Sequence, residues 1–202
     1  MRGQGGAAVT RILVVQGHPD RQPYHLCHAL AQAYAEGARA AGHDVELIEP
    51  AHLRFPLLSS RAEWEHGTLP PQLCAAQESI RRADHLVFVY PLWLGDMPAM
   101  LKGFLEQVAR PGMFVTMVND KPVPTRLLQG RSARLVISTG MPGLAYRWLS
   151  GAYSLKLMRR HILGVAGATR VRSTVVGSAT SMSAEQVARW RRRLHALGRR
   201  AV

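Results

Sequence analysis

The sequence predicts an α/β fold, a doubly wound five-stranded parallel sheet with helices on both faces in three layers, and three observations carry that expectation. Short apolar runs of strand length alternate along the chain with stretches of helical period, the pattern that builds βαβ units. The connection between the first two runs holds a whole helix, which imposes a right-handed crossover and parallel strands. The turns after the first, third and fourth runs hold glycine and proline, as expected of ligand-facing turns at the carboxyl ends of such a sheet. The 202 residues suit one domain over 1–202 with a substantial core, preceded only by a flexible, glycine-rich segment at 1–9.

Arg11-Ile12-Leu13-Val14-Val15-Gln16 is a buried strand that runs into Gly17-His18-Pro19-Asp20-Arg21-Gln22-Pro23, residues that favour irregular backbone. Leu26, Leu30, Ala33, Tyr34 and Ala38 trace one face of a helix over about 25–41, stopped by Gly42 where a left-handed cap belongs. Asp44 to Glu49 alternates with period two, a half-exposed strand near a sheet edge. Residues 50–71 show no sustained period and contain Pro50, Pro56, Pro70 and Pro71, a long connection of the kind that borders a site. A helix over about 72–82 leads to the third strand, His85 to Tyr90. Pro91 ends that strand because it cannot donate to a ladder. Pro98 opens the next helix at its first turn, with Ala99, Met100, Leu101, Phe104, Leu105 and Val108 at helical spacing. Residues 110–130 read as irregular, with an apolar run, Met113 to Val118, that could cover a ligand. Arg134 to Thr139 is the fourth strand and enters Gly140-Met141-Pro142-Gly143. One helix is expected over 146–163, a fifth strand over 169–176, and a last helix from a Ser183/Gln186 capping box to near Gly198.

The net charge of +13 is unevenly placed: residues 1–120 hold 10 basic and 12 acidic side chains, residues 121–202 hold 16 and 1. Such a half can face nucleic acid or an anionic membrane. The C-terminal arginines Arg189, Arg191, Arg192 and Arg193 lack the series of interleaved aromatics that base stacking needs, and read as a solvated helix face, so no nucleic-acid partner is expected. No apolar run approaches the roughly 20 residues of a membrane span, and Ile12 to Val15 is too short for the core of a signal peptide. Cys27 and Cys74 lie in helical patterns without metal-ligand spacing. No metal site is expected, and a reduced, cytoplasmic setting is.

Alternation alone leaves the strand order open. If strands one, three and four lie side by side, their turns wall a single crevice. The first of these turns precedes a helix N-terminus, whose free N–H groups and dipole favour a phosphate; Arg21 supports an anion there and Asp20 opposes it. Neither Gly-x-Gly-x-x-Gly nor a P-loop Gly-Lys-Ser/Thr occurs in that turn, which speaks against a permanently seated Rossmann dinucleotide and against nucleotide hydrolysis.

Pro91-Leu92-Trp93-Leu94-Gly95-Asp96-Met97-Pro98-Ala99-Met100-Leu101-Lys102-Gly103 and the helix that continues to Val108 resemble the signature of the flavodoxin-like NAD(P)H:quinone oxidoreductase family. Gly17-His18-Pro19 and Ser138-Thr139-Gly140 followed by Tyr146 resemble it as well, and the matches together span about 11–165. The resemblance implies a flavodoxin-like strand order 2-1-3-4-5 and a non-covalent flavin, FMN or FAD. It implies hydride transfer from NAD(P)H and two-electron, ping-pong reduction of a quinone or similar acceptor by a homodimer. Carried over residue by residue, His18 and the turn after it meet the ribityl-phosphate side. Pro91, Leu92, Trp93 and Leu94 border the isoalloxazine, and Thr139 and Gly140 donate to its pyrimidine edge. Tyr146 is the implied catalytic residue, near flavin N1/O2, where negative charge develops on reduction.

The chain departs from the family at two places. Members usually hold Ser or Thr with Asn in the phosphate turn, whereas this chain has Arg21-Gln22-Pro23-Tyr24-His25, which leaves Arg21, His25 and backbone N–H groups to hold a phosphate. Some members carry a catalytic histidine shortly after the tyrosine, where this chain reads Gly151-Ala152-Tyr153. The same family implies an alternative, a regulatory subunit of a membrane potassium-efflux transporter, bound through the basic half without stable membrane insertion.

Overall fold

Five strands form one parallel sheet: β1 (Arg11–Gln16), β2 (Asp44–Ile48), β3 (His85–Pro91), β6 (Ser132–Ser138) and β7 (Arg170–Val176), in the order β2-β1-β3-β6-β7. The computed structural model describes residues 9–148 and 151–202, so the segment expected to be flexible, 1–9, lies outside the described residues except for Val9. With the β4–β5 hairpin described below left out of the count, the order is 2-1-3-4-5, as the resemblance implies. Order reverses between β1 and β3, which is where a doubly wound sheet opens its crevice. Register closes that crevice at one level, for Gln16 pairs with Val89 and Pro91 with Ser138.

Both faces of the sheet are covered, which is why its central strands read as unbroken apolar runs. Ile12 and Val14 of β1 join Val87, Val89, Val136 and Val176 against α1 (Leu26–Ala40) and α7 (Ala184–Gly198). Leu13 and Val15 point the other way, into the core formed with α3 (Pro71–Arg82) and α4 (Ala99–Val108), where Leu73, Ile80, Leu101 and Phe104 are buried. β3 is buried over its whole length, whereas β2 alternates between exposed and half-buried residues at the sheet edge, as its period-two pattern requires. The Ser183/Gln186 capping box starts α7 as expected: Gln186 Oε1 accepts from Ser183 N–H and Ser183 Oγ from Gln186 N–H.

Four expectations need correction. The long connection at 50–71 contains a 3-10 turn (Pro50–His52) and a short helix α2 (Arg61–His66), capped where Ser60 Oγ accepts from Glu63 N–H. Residues 110–130 hold an antiparallel hairpin, β4 (Val115–Val118) and β5 (Lys121–Pro124), turning on Asn119 and Asp120 with φ of +49° and +58°. Its root does not cover the crevice: Phe114 and Val115 share a groove with Leu105, Ala109 and Ile162, at the end of α4 remote from the strand carboxyl ends. The single helix expected over 146–163 is broken. α5 (Gly143–Trp148) and α6 (Tyr153–Lys156) are separated by Gly151 and Ala152 at φ +58° and +50°, and a π-helical turn follows (Leu157–Ile162). Pro98, last, is the N-cap of α4 rather than part of its first turn, whereas Pro91 ends β3 as expected, as its last paired residue. Among the described residues no helix is long and apolar enough to cross a membrane.

Candidate functional site

The turn between β3 and α4 is a miniature hairpin. Trp93 N–H donates to Asp96 O (2.8 Å) and Asp96 N–H to Trp93 O (3.0 Å), leaving Leu94 and Gly95 as a two-residue tip. Both tip residues have positive φ, +47° and +88°, the combination that primed hairpin turns demand. A leucine in that region costs about 1–2 kcal/mol, and Leu94 is fully exposed, so no packing within the chain offsets the strain. Strain held at such a position is a mark of a functional turn. Leu92 N–H donates to Ser138 O (2.7 Å) and Trp93 N–H is used by the hairpin, whereas the tip amides of Leu94 and Gly95 have no partner among the described residues. Gly95 was missed from sequence, although a Gly after Trp-Leu is a readable two-residue turn. Trp93 stands half in solvent, while Pro91 is buried and underlies the turn instead of bordering the crevice.

The β1–α1 turn lies against it. Gly17 N–H donates to Val89 O (2.7 Å), and a Cβ on Gly17 would come within 2.6 Å of Leu101 Cδ2, so any larger residue would have to displace that buried side chain where β1 leaves the sheet beside α4. Buried Gln16 receives His18 N–H on its Oε1 (2.6 Å), while its Nε2 has no partner among the described residues. The His18 ring stacks on His25 at 4.0 Å and meets Trp93 edge-on at 6.0 Å, joining the two turns in one site. His18 Nδ1 accepts from Asp20 N–H (3.2 Å), so the neutral ring carries its proton on Nε2. Asp20 also takes His25 Nε2 at 2.8 Å and Gln22 N–H at 3.0 Å, which together hold its carboxyl below the usual range, the Gln22 bond foremost. Arg21 Nε donates to Ala51 O at 2.7 Å, so its guanidinium is tied to the connection after β2. His25 caps α1 with no side-chain hydrogen bond, and the first turn of α1 holds no acidic residue.

On the third side, sheet bonding limits what Thr139 can do. Its N–H donates to Val176 O (2.9 Å) and its Oγ1 accepts from Met141 N–H (3.3 Å), so the donor that Thr139 can still offer is its hydroxyl rather than its amide. Gly140 is exposed, with its N–H unpaired among the described residues. Tyr146 is fully buried beneath this turn rather than displayed at the crevice. Its Oη faces the backbone N–H groups of Ser154 and Leu155 without making a hydrogen bond, and burial raises its pKa. Asp96, whose Oδ1 is likewise buried and unpaired, acts on Tyr146 electrostatically, and Tyr90 Oη meets Ser154 Oγ at 3.2 Å alongside. Cys27 Sγ contacts Ser138 Oγ (3.1 Å), but burial pushes its thiol up to about 12, so it is not a nucleophile.

Other sequence features fall outside the crevice. Lys102 pairs with Glu106 one turn along α4. Arg189, Arg191, Arg192 and Arg193 are exposed on α7, with the Arg193 guanidinium over the half-buried Trp190 ring at 5.0 Å. A cleft lined by Arg11, Asp44, Ser79 and Arg82 lies at the opposite, amino ends of β1 and β2. Among the described residues no three His, Cys, Asp or Glu side chains are arranged to hold a metal ion.

Three turns therefore wall one furrow with free amide donors on two sides, a buried amide and two buried oxygens without partners, and an indole edge. The model of a family described by its flavodoxin-like fold matches residues 10–197. The rat protein named NAD(P)H dehydrogenase (quinone) 1 is 28% identical over 163 residues, covering 69% of this chain and 57% of the rat protein. The protein of Opitutus terrae named FMN-dependent NADH:quinone oxidoreductase is 24% identical over 178 residues, covering 80% of this chain and 83% of that one. The solved NAD(P)H:quinone oxidoreductase from Methanothermobacter marburgensis superposes with a TM-score of 0.76 at 26% identity, over 95% of this chain and 98% of that one. This chain spans a little over half the length of the first curated relatives it matches.

Proposed function

We propose that this chain, which belongs to the family described by its flavodoxin-like fold, is a flavin-dependent NAD(P)H oxidoreductase reducing quinones or related acceptors by two electrons. The observation that carries the proposal is the set of unpaired polar atoms around one furrow: Gln16 Nε2, Asp96 Oδ1 and Tyr146 Oη, all buried, with the amide N–H groups of Leu94, Gly95 and Gly140 at its rim. A buried polar atom left unpaired costs about 1–3 kcal/mol, so three such atoms beneath exposed, unpaired amides mark a surface made for a polar-edged ligand. The residues fit a flavin, and the name of the Opitutus terrae relative supports FMN over FAD.

Bound there, a flavin supplies hydride acceptance from NAD(P)H and two-electron delivery to the acceptor. The chain's own contribution is orientation and charge. Gly17, locked against Leu101, and the His18–Trp93 contact set the distance between the phosphate turn and the ring-bordering hairpin. Leu94, Gly95 and Gly140 present amide donors that need no reorganisation when negative charge develops. Tyr146, whose buried hydroxyl has no partner among the described residues, is the donor assigned to that charge. His18, Arg21 and His25 form the phosphate end, with the uncapped start of α1. The chain works as one domain over 1–202, in the cytoplasm, as a homodimer.

The test is direct. The purified protein is expected to be yellow, or to become so with added FMN, and then to oxidise NAD(P)H when a quinone is present. A colourless protein that binds no flavin and leaves NAD(P)H untouched overturns the proposal.

A further inference from the structure

Resting on the flavin reading, we infer that the histidine cluster on the β1–α1 turn binds the flavin phosphate together with protons, so that affinity for phosphate-bearing flavins rises as pH falls from 8 to 6. Three imidazoles converge at the start of α1. His18 stacks on His25 at 4.0 Å, and His28, one turn into the helix, lies 5.7 Å from His18 and 6.0 Å from His25. Imidazole is the side chain whose charge change falls closest to physiological pH, so a phosphate seated among these rings can be bound together with protons.

The surrounding charges leave that cluster short of negative partners. From the turn itself, Asp20 bonds His25 at 2.8 Å. From the end of β2, Glu49 lies 3.7 Å from His28, but His52 of the 3-10 turn shares that carboxylate at 3.4 Å. Arg21 adds a fixed positive charge nearby, tied to Ala51 O, and the β3–α4 turn brings only the Trp93 ring edge. His18 has no carboxylate of its own: its Nδ1 accepts from Asp20 N–H. Burial, reinforced by the neighbouring imidazoles, accordingly holds His18 and His28 below the usual histidine range. At pH 7–8 these two rings are neutral in the unliganded chain.

A phosphate at the head of α1 reverses the balance. Its negative charge favours the imidazolium forms, and each proton taken up adds a donor and a positive charge facing the anion. The reaction is therefore chain plus flavin phosphate plus n protons giving the protonated complex, with no bond made or broken. By linkage the logarithm of affinity changes by n for each pH unit. The phosphate monoester of FMN itself takes a proton near pH 6, which opposes the gain at the acid end. The pyrophosphate of FAD does not, and riboflavin has no phosphate at all.

These three probes separate the causes. The full chain, freed of flavin, is titrated with riboflavin, FMN and FAD by fluorescence quenching at pH 6, 7 and 8 and constant ionic strength. Proton uptake on binding is read with an indicator dye in weak buffer. Between pH 8 and 6 the FAD dissociation constant is expected to fall about tenfold or more, with proton uptake at pH 7, while that of riboflavin changes less than about twofold. His28→Asn and His18→Asn should each reduce both the slope and the uptake. Phosphate-bearing flavins that bind with riboflavin's flat profile, or variants that keep the full slope, overturn the inference and leave the flavin reading standing. Failure of all three flavins to bind at any pH overturns both.

Discussion

Tyr146 shows how a single residue can be poorly served by the fold and still be kept. Its hydroxyl is buried without a partner, at a cost of about 1–3 kcal/mol. Replacing it with phenylalanine removes that cost and also the donor assigned to developing charge. Tyr146→Phe is therefore expected to melt at the same temperature as the parent or higher and to retain flavin. Its flavin should be reduced by NAD(P)H more slowly by a factor on the order of 10² in rapid mixing. An unchanged reduction rate would remove Tyr146 from the mechanism. The same residue marks the boundary of what could be read in advance. Tyr146 was legible through its offset from Thr139 in a recognisable motif, but its burial was not. Gln16 and Asp96 were not legible as site residues, because whether a polar atom is orphaned depends on neighbours far away in the chain. Thr139 illustrates the converse: its amide donor is spent on Val176, a pairing that register alone decides.

At the scale of elements, the contact between α1 and α7 sets how the β1–α1 turn is held. Gly37 and Gly198 let the two backbones touch, for a Cβ on Gly37 would stand 2.0 Å from His195 O and one on Gly198 2.0 Å from Tyr34 O. Two effects oppose each other in Gly37→Ala. Helix propensity favours alanine by about 1 kcal/mol, whereas forcing a methyl into backbone costs about 1–3 kcal/mol or more. Rigid carbonyls cannot yield as a side chain would, so the clash dominates. The variant is expected to lose stability, read as a lower denaturant midpoint with an unchanged slope; a midpoint at or above the parent's would show that the helices separate freely. Elements with strong periods, such as β3 and α1, could be drawn from the residues alone. The β4–β5 hairpin could not, because its strands are four residues each and β5 carries Pro122 and Pro124, which read as loop. Nor could the break between α5 and α6, since Ala152 in the left-handed region leaves no compositional trace.

The whole molecule leaves an apolar rim around the furrow: Tyr24, Leu94, Leu144, Trp148 and Tyr153 are each more than 70% exposed. Side chains of this size gathered at one end of a sheet mark an interaction surface, and association of two copies would cover them. Sedimentation at micromolar concentration is expected to give twice the chain mass, and Trp148→Glu to shift the population toward single chains; a parent protein that sediments as one chain would refute the dimer. The amino-acid sequence by itself determined the parallel α/β architecture, the helix caps and the three turns that face a ligand. Apolar period, proline and glycine act locally, and a motif carries its identity in neighbouring residues. Only the tertiary structure decided that the turns beginning at Gly17, Leu92 and Thr139 come together, which of their amides remain unpaired among the described residues, and that three histidine rings meet at the start of α1. The meeting of the turns follows from strand register and packing between segments more than forty residues apart, which no local pattern of side chains encodes; the histidines lie close in sequence, but their rings meet only through the backbone path of the β1–α1 turn.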